Sequence, residues 1–439
     1  MDKLSTNSPD IIIRQTKSVC PICLKEIAGN IIDRDGSVLL DKTCDDHGTF
    51  NIVISNFPQD YKALSECYFH FVPTSSQQKE YYLCATRQCN INCPICFLDH
   101  CQDKSELTED RLIEKMNTLK NVERFTFSHG EPTVDKNLPD KIRLLKKGGK
   151  LVNIHSNGVK LSDYNYASSL KSAGIDHVSL QFDGFDENTY LTLRGQKLLD
   201  VKLAALDNLK KLSIPVTLNI TVAKGINDNE LGKIFDFVVK NNNIKDVSYI
   251  TYCHYDSKDN NLDKYMMPDD LLLYLEKHTQ GKILREDLVE FQKLFYAYCN
   301  AFNKSKCFNY YHYFVIRTKT GYCGIDKYIN LKRIGNMINS HRIKNKMISR
   351  FALLKILFSS LKLKSLLLIP FGLSLFLKGG YPKNPRKFFV VTFASICDPY
   401  KYDAQIALNC GQGIVTQTDV HKNYGTYVIE EMQKERESK

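Results

Sequence analysis

Between Tyr81 and His254 the sequence repeats one local unit, and that repetition constrains the fold more than any other feature. Short apolar runs at Tyr82–Ala85, Phe125–Phe127, Leu151–Ile154, Val178–Phe182, Val216–Val222 and Val247–Thr251 read as strands. Stretches of helical period at Leu107–Leu119, Leu138–Lys147, Ala167–Ala173, Val201–Leu212 and Asn229–Lys240 separate them. A helix between two strands returns the chain to the same end of the sheet, so the strands must run parallel. The order of elements alone does not distinguish an open sheet from a barrel.

The flanks follow other rules. Residues 1–15 read as a loose tail, and residues 16–75 as a small module of strands and turns. Within it Asn30–Asp33 and Ser37–Leu40 flank the turn pair Asp35-Gly36. Residues 76–280 hold the repeating core and 281–439 a mixed α/β carboxyl-terminal region. There, helices are expected at 268–277 and 285–299 and a strand at Tyr311–Ile316. A block at 341–378 interleaves Arg342, Lys344, Lys346, Arg350, Lys355, Lys362 and Lys364 with Phe351, Leu353, Leu354 and Phe358. It reads either as a helix packed on the core with a basic solvated face, or as an amphipathic segment at a lipid surface. Its uncharged stretch Ser365–Leu377 is too short for the ~20 residues that span a bilayer.

Composition narrows the class. A chain of 439 residues with 43% hydrophobic and 25% charged residues is neither disordered nor fibrous. The net charge of +11 permits phosphate or anionic lipid as a partner without selecting either, and no nucleic-acid role is expected. Fifteen cysteines follow an amino terminus with no apolar signal segment, which predicts a cytoplasmic protein whose thiols serve metal or redox chemistry.

Two thiol patterns carry that chemistry. Cys89, Cys93 and Cys96 stand at Cys-x3-Cys-x2-Cys just after the first core strand. Three thiolates suit three irons of a 4Fe–4S cluster and leave the fourth open, whereas a structural zinc asks for a closed set of four, to which Cys84 or Cys101 would have to contribute. Separately, Cys20, Cys23, Cys44 and His47 form Cys-x2-Cys and Cys-x2-His pairs around the predicted hairpin, a tetrahedral donor set for zinc or iron.

The triplet on the loop after the first strand resembles the signature of the radical S-adenosylmethionine (SAM) superfamily. Ser128-His129-Gly130-Glu131-Pro132 follows the second strand, where that family carries Gly-Gly-Glu-Pro, with His129 in place of the first glycine. His155-Ser156-Asn157-Gly158 ends the third strand, Gln181-Phe182-Asp183-Gly184 the fourth, and Arg194-Gly195 follows. The resemblance implies a partial (β/α)6 barrel of TIM type. It also implies a 4Fe–4S cluster on Cys89, Cys93 and Cys96, and SAM held near Ser128, Gly130 and Glu131. By the same resemblance Gln181 and Arg194 meet the SAM carboxylate, and Asp183 and Asn157 the ribose. Reductive cleavage of SAM to a 5′-deoxyadenosyl radical is the reaction that follows, with an electron donor such as ferredoxin or flavodoxin.

A metal knuckle ahead of such a core is similar to the branch that holds tetraether lipid synthase and pterin-methylating proteins. That likeness implies methylation or carbon–carbon bond formation on a lipid-like or pterin-like substrate. A second iron–sulfur cluster on some of Cys299, Cys307, Cys323 and Cys410 is a further expectation from it. The alternatives are a radical oxidoreductase or peptide modifier, and a metal-stabilised binding protein without catalysis. Peripheral contact with the inner membrane surface is the expectation attached to the basic block.

Overall fold

The computed structural model describes residues 10–73, 79–96, 106–254, 264–344, 347–362, 387–416, 420–421 and 423–437. Cys101 and residues 363–378 of the basic block lie outside them.

A four-stranded antiparallel sheet opens the chain: β1 (Ile11–Val19), β2 (Glu26–Arg34), β3 (Ser37–Cys44) and β4 (Gly48–Ser55), in sequence order. Asp35 and Gly36 both take positive φ, 51° and 79°, as a two-residue turn matched to strand twist requires. The first strand begins at Ile11, inside the segment expected to be a tail. It is held because Ser18 Oγ donates to Tyr402 O (2.6 Å), Thr16 Oγ1 donates to Asp403 (2.8 Å), and Arg14 pairs with the same carboxylate. Buried Lys42 on β3 adds a bond to Pro399 O at 2.7 Å. This module therefore packs against a late stretch of chain, a contact without a local sequence signal.

After α1 (Pro58–Phe71) come the six expected parallel strands: β5 (Glu80–Cys84), β6 (Arg124–Ser128), β7 (Leu151–Ser156), β8 (His177–Gln181), β9 (Val216–Val222) and β10 (Ile244–Thr251). Between them run α2 (Glu109–Thr118), α3 (Leu138–Lys147), α4 (Tyr164–Ala173), α5 (Glu187–Arg194), α6 (Leu199–Lys211) and α7 (Leu231–Lys240). Start signals are legible: Thr108, Asp163 and Asp186 each cap a helix through side-chain oxygens, satisfying amides that have no partner inside the helix. Outward-facing Val152, Ile154, Val178, Leu180, Leu218, Ile220 and Val247 pack with the helices into the main core.

The carboxyl-terminal region enters the same sheet. It contributes α8 (Pro268–His278), α9 (Arg285–Ala301), β11 (Tyr310–Thr318), β12 (Gly321–Gly324), α10 (Leu331–Lys344), α11 (Arg350–Ser359) and β13 (Phe388–Ala394). It ends with α12 (Ala404–Leu408), β14 (Gly413–Val415), β15 (Val420–His421) and α13 (Tyr424–Glu437). The eleven-stranded order is β12-β11-β13-β10-β9-β8-β7-β6-β5-β14-β15, with β13 parallel to β10 and β14 parallel to β5. Its two edges stay apart, which makes a partial barrel. Arg317 on β11 ties this extension down by donating to the carbonyls of Val238, Asn241 and Ile244 at 2.8–3.1 Å.

Candidate active site

The SAM-site candidates fall at the carboxyl ends of β5 to β8, the end where barrels place their chemistry, except Arg194, which ends α5. Cys89 is exposed and Cys93 and Cys96 are half-buried on the loop after β5. Two neighbouring strands hold that loop. Asn157, after β7, donates from Nδ2 to Asn90 Oδ1 (2.7 Å) and approaches Cys89 Sγ at 3.8 Å. From the other side α5 ends at Gly195 in left-handed geometry (φ 77°), where a Cβ would lie 2.9 Å from Asn92 O. Burial raises the Cys93 thiol pKa, opposed by the adjacent Arg194 guanidinium.

Glu131 is a strut. Its carboxylate, 1% exposed, accepts from Thr133 N, Thr133 Oγ1, Ser156 Oγ and Asn157 N at 2.6–3.1 Å, joining the ends of β6 and β7. Burial raises its pKa against the pull of these donors. Gly130 (φ 59°) passes so close to the triplet loop that a Cβ would meet Thr86 O and Gln88 O at 2.5 Å. His129 itself sits at φ 69°, the left-handed backbone for which glycine is best suited, and it packs its ring edge against Tyr424 and Tyr82. A side chain is thus tolerated at the first motif position because aromatic rings from α13 and β5 receive it.

Asp183 corrects an expectation. It is 0% exposed, with both oxygens occupied: Oδ2 accepts from Arg194 Nε (2.7 Å) and Oδ1 from Arg194 Nη2 (2.9 Å) and Thr221 N (3.1 Å). Gln181 Nε2 donates to the same carboxylate. Buried on every side, Asp183 orients Arg194 and Gln181 rather than facing a ribose. Arg194 also donates to Thr221 Oγ1 at 2.9 Å, and buried Asn227 ties the ends of β8 and β9 by donating to Asp183 O and Thr221 O.

Lys202 was not singled out from sequence. On α6 it occupies the face shared with Ala205, Leu206 and Leu209, is 0% exposed, and donates to Asn157 O and Gln181 Oε1. Burial lowers its pKa to about 8. A lone cation within an apolar helical face was the available signal.

Below these residues the barrel lumen is polar. Strand alternation turns Thr126, Asn153 and His177 inward as ladder partners, followed by His155, Ser179 and Thr217, then Asp246 and Ser248. His177 Nε2 lies 2.8 Å from Thr217 Oγ1, and a chain runs from His312 Nδ1 through Thr392 Oγ1 (3.1 Å) to Asp246 Oδ1 (3.3 Å). Burial holds His155 and His177 neutral, with pKa values lowered to about 4, and raises Asp246 to about 7. Barrel interiors are ordinarily filled by Val, Ile and Leu, so a lining of hydrogen-bonding groups suits a polar ligand rather than an apolar core.

At the amino-terminal sheet Cys20, Cys23, Cys44 and His47 converge, all four ligand atoms lying within 4.8 Å of one another. Nδ1 of His47 is 3.6 Å from Cys20 Sγ and 3.5 Å from Cys44 Sγ; its hydrogen bond lowers the Cys44 pKa to about 7. The sulfur-rich tetrad suits a structural ion. Among the described residues the triplet forms no such single-ion group.

The expected auxiliary quartet is divided. Half-buried Cys307, before β11, and half-buried Cys410, after α12, are electrostatic neighbours of buried Cys397, which lies outside the expected quartet. Cys323 instead lies on β12 opposite Ile316, beside Tyr328, because hairpin pairing carries it to the far end of β11. Cys299, at the end of α9, has Lys304 and Lys306 for electrostatic neighbours.

Residues 83–238 match the family model described as Radical SAM superfamily, and residues 12–56 match the HMPTM N-terminal zinc ribbon domain. The chain is 33% identical over 309 residues to 7,8-dihydro-6-hydroxymethylpterin dimethyltransferase of Methanocaldococcus jannaschii, covering 62% of this chain and 60% of that protein. It is 30% identical to a probable GTP 3′,8-cyclase of Pyrococcus abyssi, over 36% of this chain and 52% of that one. The chain thus spans about half to three fifths of the length of these relatives. Among solved structures, SuiB of Streptococcus suis bound to S-adenosylmethionine aligns with TM-score 0.40 and 17% identity over half of each chain. The chain carries a radical SAM domain, which implies a 4Fe–4S cluster and SAM, behind a zinc-ribbon metal site.

Proposed function

We propose, with the radical SAM domain as premise, that this chain cleaves SAM reductively and acts on a compact polar heterocycle of the pterin class, by methylation or carbon–carbon bond formation. The observation that carries the substrate choice is the polar lumen. An alkyl chain there would give no partner to His155 or to the hydrogen-bonding atoms that His177 and Asp246 keep beyond their bonds to Thr217 and Thr392, at about 1–3 kcal/mol for each unsatisfied group. A flat ring with amino, imino and carbonyl edges would satisfy them. The pterin-acting relative supports the same class.

Cys89, Cys93 and Cys96 would hold the 4Fe–4S cluster. When bound, cluster and SAM together supply a 5′-deoxyadenosyl radical by one-electron cleavage. The protein's own part is to bind and orient. Arg194, fixed by Asp183, and Gln181, fixed by Lys202, present donors above the triplet, and Asn157 links that loop to β7. Ser128 ends β6, and Gly130 follows it against the backbone of Thr86 and Gln88. The electron is assigned to a small carrier such as ferredoxin or flavodoxin. Among the described residues no helix is long and apolar enough to cross a membrane.

Anaerobically reconstituted protein given dithionite and SAM should release 5′-deoxyadenosine faster with 7,8-dihydro-6-hydroxymethylpterin present, and the pterin should gain mass. Stimulation by an alkyl lipid and not by pterins would overturn the substrate class. Cluster-loaded protein that releases none under any condition would favour a silent binding protein. Asp246→Asn should raise the KM for the pterin by about 10-fold or more, the loss of one buried polar contact.

Asp246 also sets a pH dependence. Its folded pKa, raised from 3.8 to about 7, means that the folded state keeps a proton the unfolded state has released. That stability contribution is full below the unfolded value and is lost as pH rises to about 7. Thermal melts of the wild type should therefore fall between about pH 4 and pH 7, and the Asp246→Asn variant should lack that part of the decline.

A further inference from the structure

We infer that the paired helices α10 and α11 form a docking surface for an anionic lipid bilayer, a property beyond the proposed chemistry. The sequence marks the region first. Between Asp326 and Asp398 there is no acidic residue, while fourteen Lys and Arg occur. Such a run has no internal countercharge to neutralise it.

The structure then shows what is turned outward. α10 buries Leu331, Ile334 and Ile338, packing on α9, and leaves Lys332, Arg333 and Lys344 at the surface. α11 is apolar nearly all round, with Arg350 and Lys355 its only charges. A helix of that composition is ordinarily enclosed. Here Phe351 is 78% and Phe358 51% exposed, one heptad apart on the face that also holds Lys355. Ile343 (79%), near the end of α10, and Met347 (67%), ahead of α11, are further exposed apolar side chains. A groove of about 730 Å³ separates the two helices, lined by Lys332, Arg333, Lys344 and Lys355 together with Asn336 and Ser340. None of the four cations pairs with an acidic group among the described residues.

Cations beside an open groove suit phosphate, and exposed Phe, Ile and Met beside them suit the acyl boundary just beneath lipid headgroups. A free soluble phosphate would use the cations alone and leave the exposed apolar side chains unexplained. A nucleic acid would engage rings by stacking but gives no role to Ile343 and Met347. The combination selects an anionic membrane surface, entered by the side chains of one face and not spanned.

The test is co-sedimentation of the cluster-loaded protein with vesicles of phosphatidylcholine alone or mixed with phosphatidylglycerol. Binding is expected only to the anionic vesicles and should weaken at high salt. Changing Lys332, Arg333, Lys344 and Lys355 to Gln should weaken it about 100-fold or more, on the order of fivefold for each cation. Phe351→Ser with Phe358→Ser should weaken it without changing its salt dependence. Far-UV circular dichroism and SAM cleavage in solution should be unchanged in both variants, since neither touches the barrel. The inference is overturned if wild-type protein ignores anionic vesicles, if both variants bind them as wild type does, or if single-stranded RNA is retained while vesicles are not. Because binding is read without turnover, failure here leaves the pterin chemistry standing, and the reverse.

Discussion

Protein in which Cys89, Cys93 and Cys96 are all changed to Ala should keep the knuckle metal, lose the remaining iron, and cleave SAM more slowly by on the order of a thousandfold or more. Its melting temperature without cofactors should scarcely move. Burial is the reason for that split. Cys89 is exposed and Cys93 and Cys96 only half-buried, so truncation removes little packing and stays within about 1 kcal/mol. The knuckle thiols are the reverse case: Cys20 is 0% and Cys44 3% exposed. Changing them to Ala should empty the tetrad and destabilise β1 to β4, while cleavage by the folded fraction continues. Iron and zinc counts on both variants, with 5′-deoxyadenosine release, check the prediction. Cleavage that survives in the triple variant would remove the cluster assignment. Iron that remains beyond the knuckle in that variant would point to the shared neighbourhood of Cys307, Cys397 and Cys410.

Much of this was legible in the chain because the information is local. Period-two and helical patterns placed β5 to β10 within a few residues, and the cap residue Asp163 marks where α4 begins, whereas α5, capped by Asp186, is a helix the periodicity does not predict. The triplet and the knuckle were legible for the same reason, since a chelating pair must sit on one tight turn. What escaped depends on tertiary contact. No window of sequence says that Ile11–Val19 will be held by Asp403, or that Phe388–Ala394 will extend the sheet past β10. Lys202 went unnoticed because a lysine in a helix is read as solvated by default. Its role follows only once α6 is laid against the ends of β7 and β8. The ribose role of Asp183 is what the family resemblance implies, and the motif that carries it is visible in the chain. That its two oxygens are already occupied by Arg194 and Thr221 is not.

That occupancy leads to the second large effect. Asp183→Ala should destabilise the protein by about 3–5 kcal/mol, the range for breaking a buried ion pair by removing one partner. Arg194, its side chain 11% exposed, would keep its charge with its two-point acceptor gone, and the Thr221 amide would lose its partner as well. Removing both charges in Asp183→Ala/Arg194→Ala should cost less than the sum of the single changes, because the uncompensated cation is then absent. A purely structural pair would stop there. The site geometry adds a functional consequence. Arg194 reaches Cys93 and Asp183 fixes Gln181, so loosening the carboxylate frees both groups that are proposed to bind SAM. Arg194→Lys separates the two roles. It keeps a positive charge near Asp183 but gives up the planar fork, so stability should drop by less than in Asp183→Ala while the KM for SAM rises about 10-fold or more. Denaturant melts of the wild type, Asp183→Ala, Arg194→Ala, the double variant and Arg194→Lys, run beside SAM titrations, provide the comparison. Stability changes that add with no coupling would show that Asp183 and Arg194 do not act as a pair, and a KM for SAM unmoved in Arg194→Lys would show that the pair only staples β8 to α5.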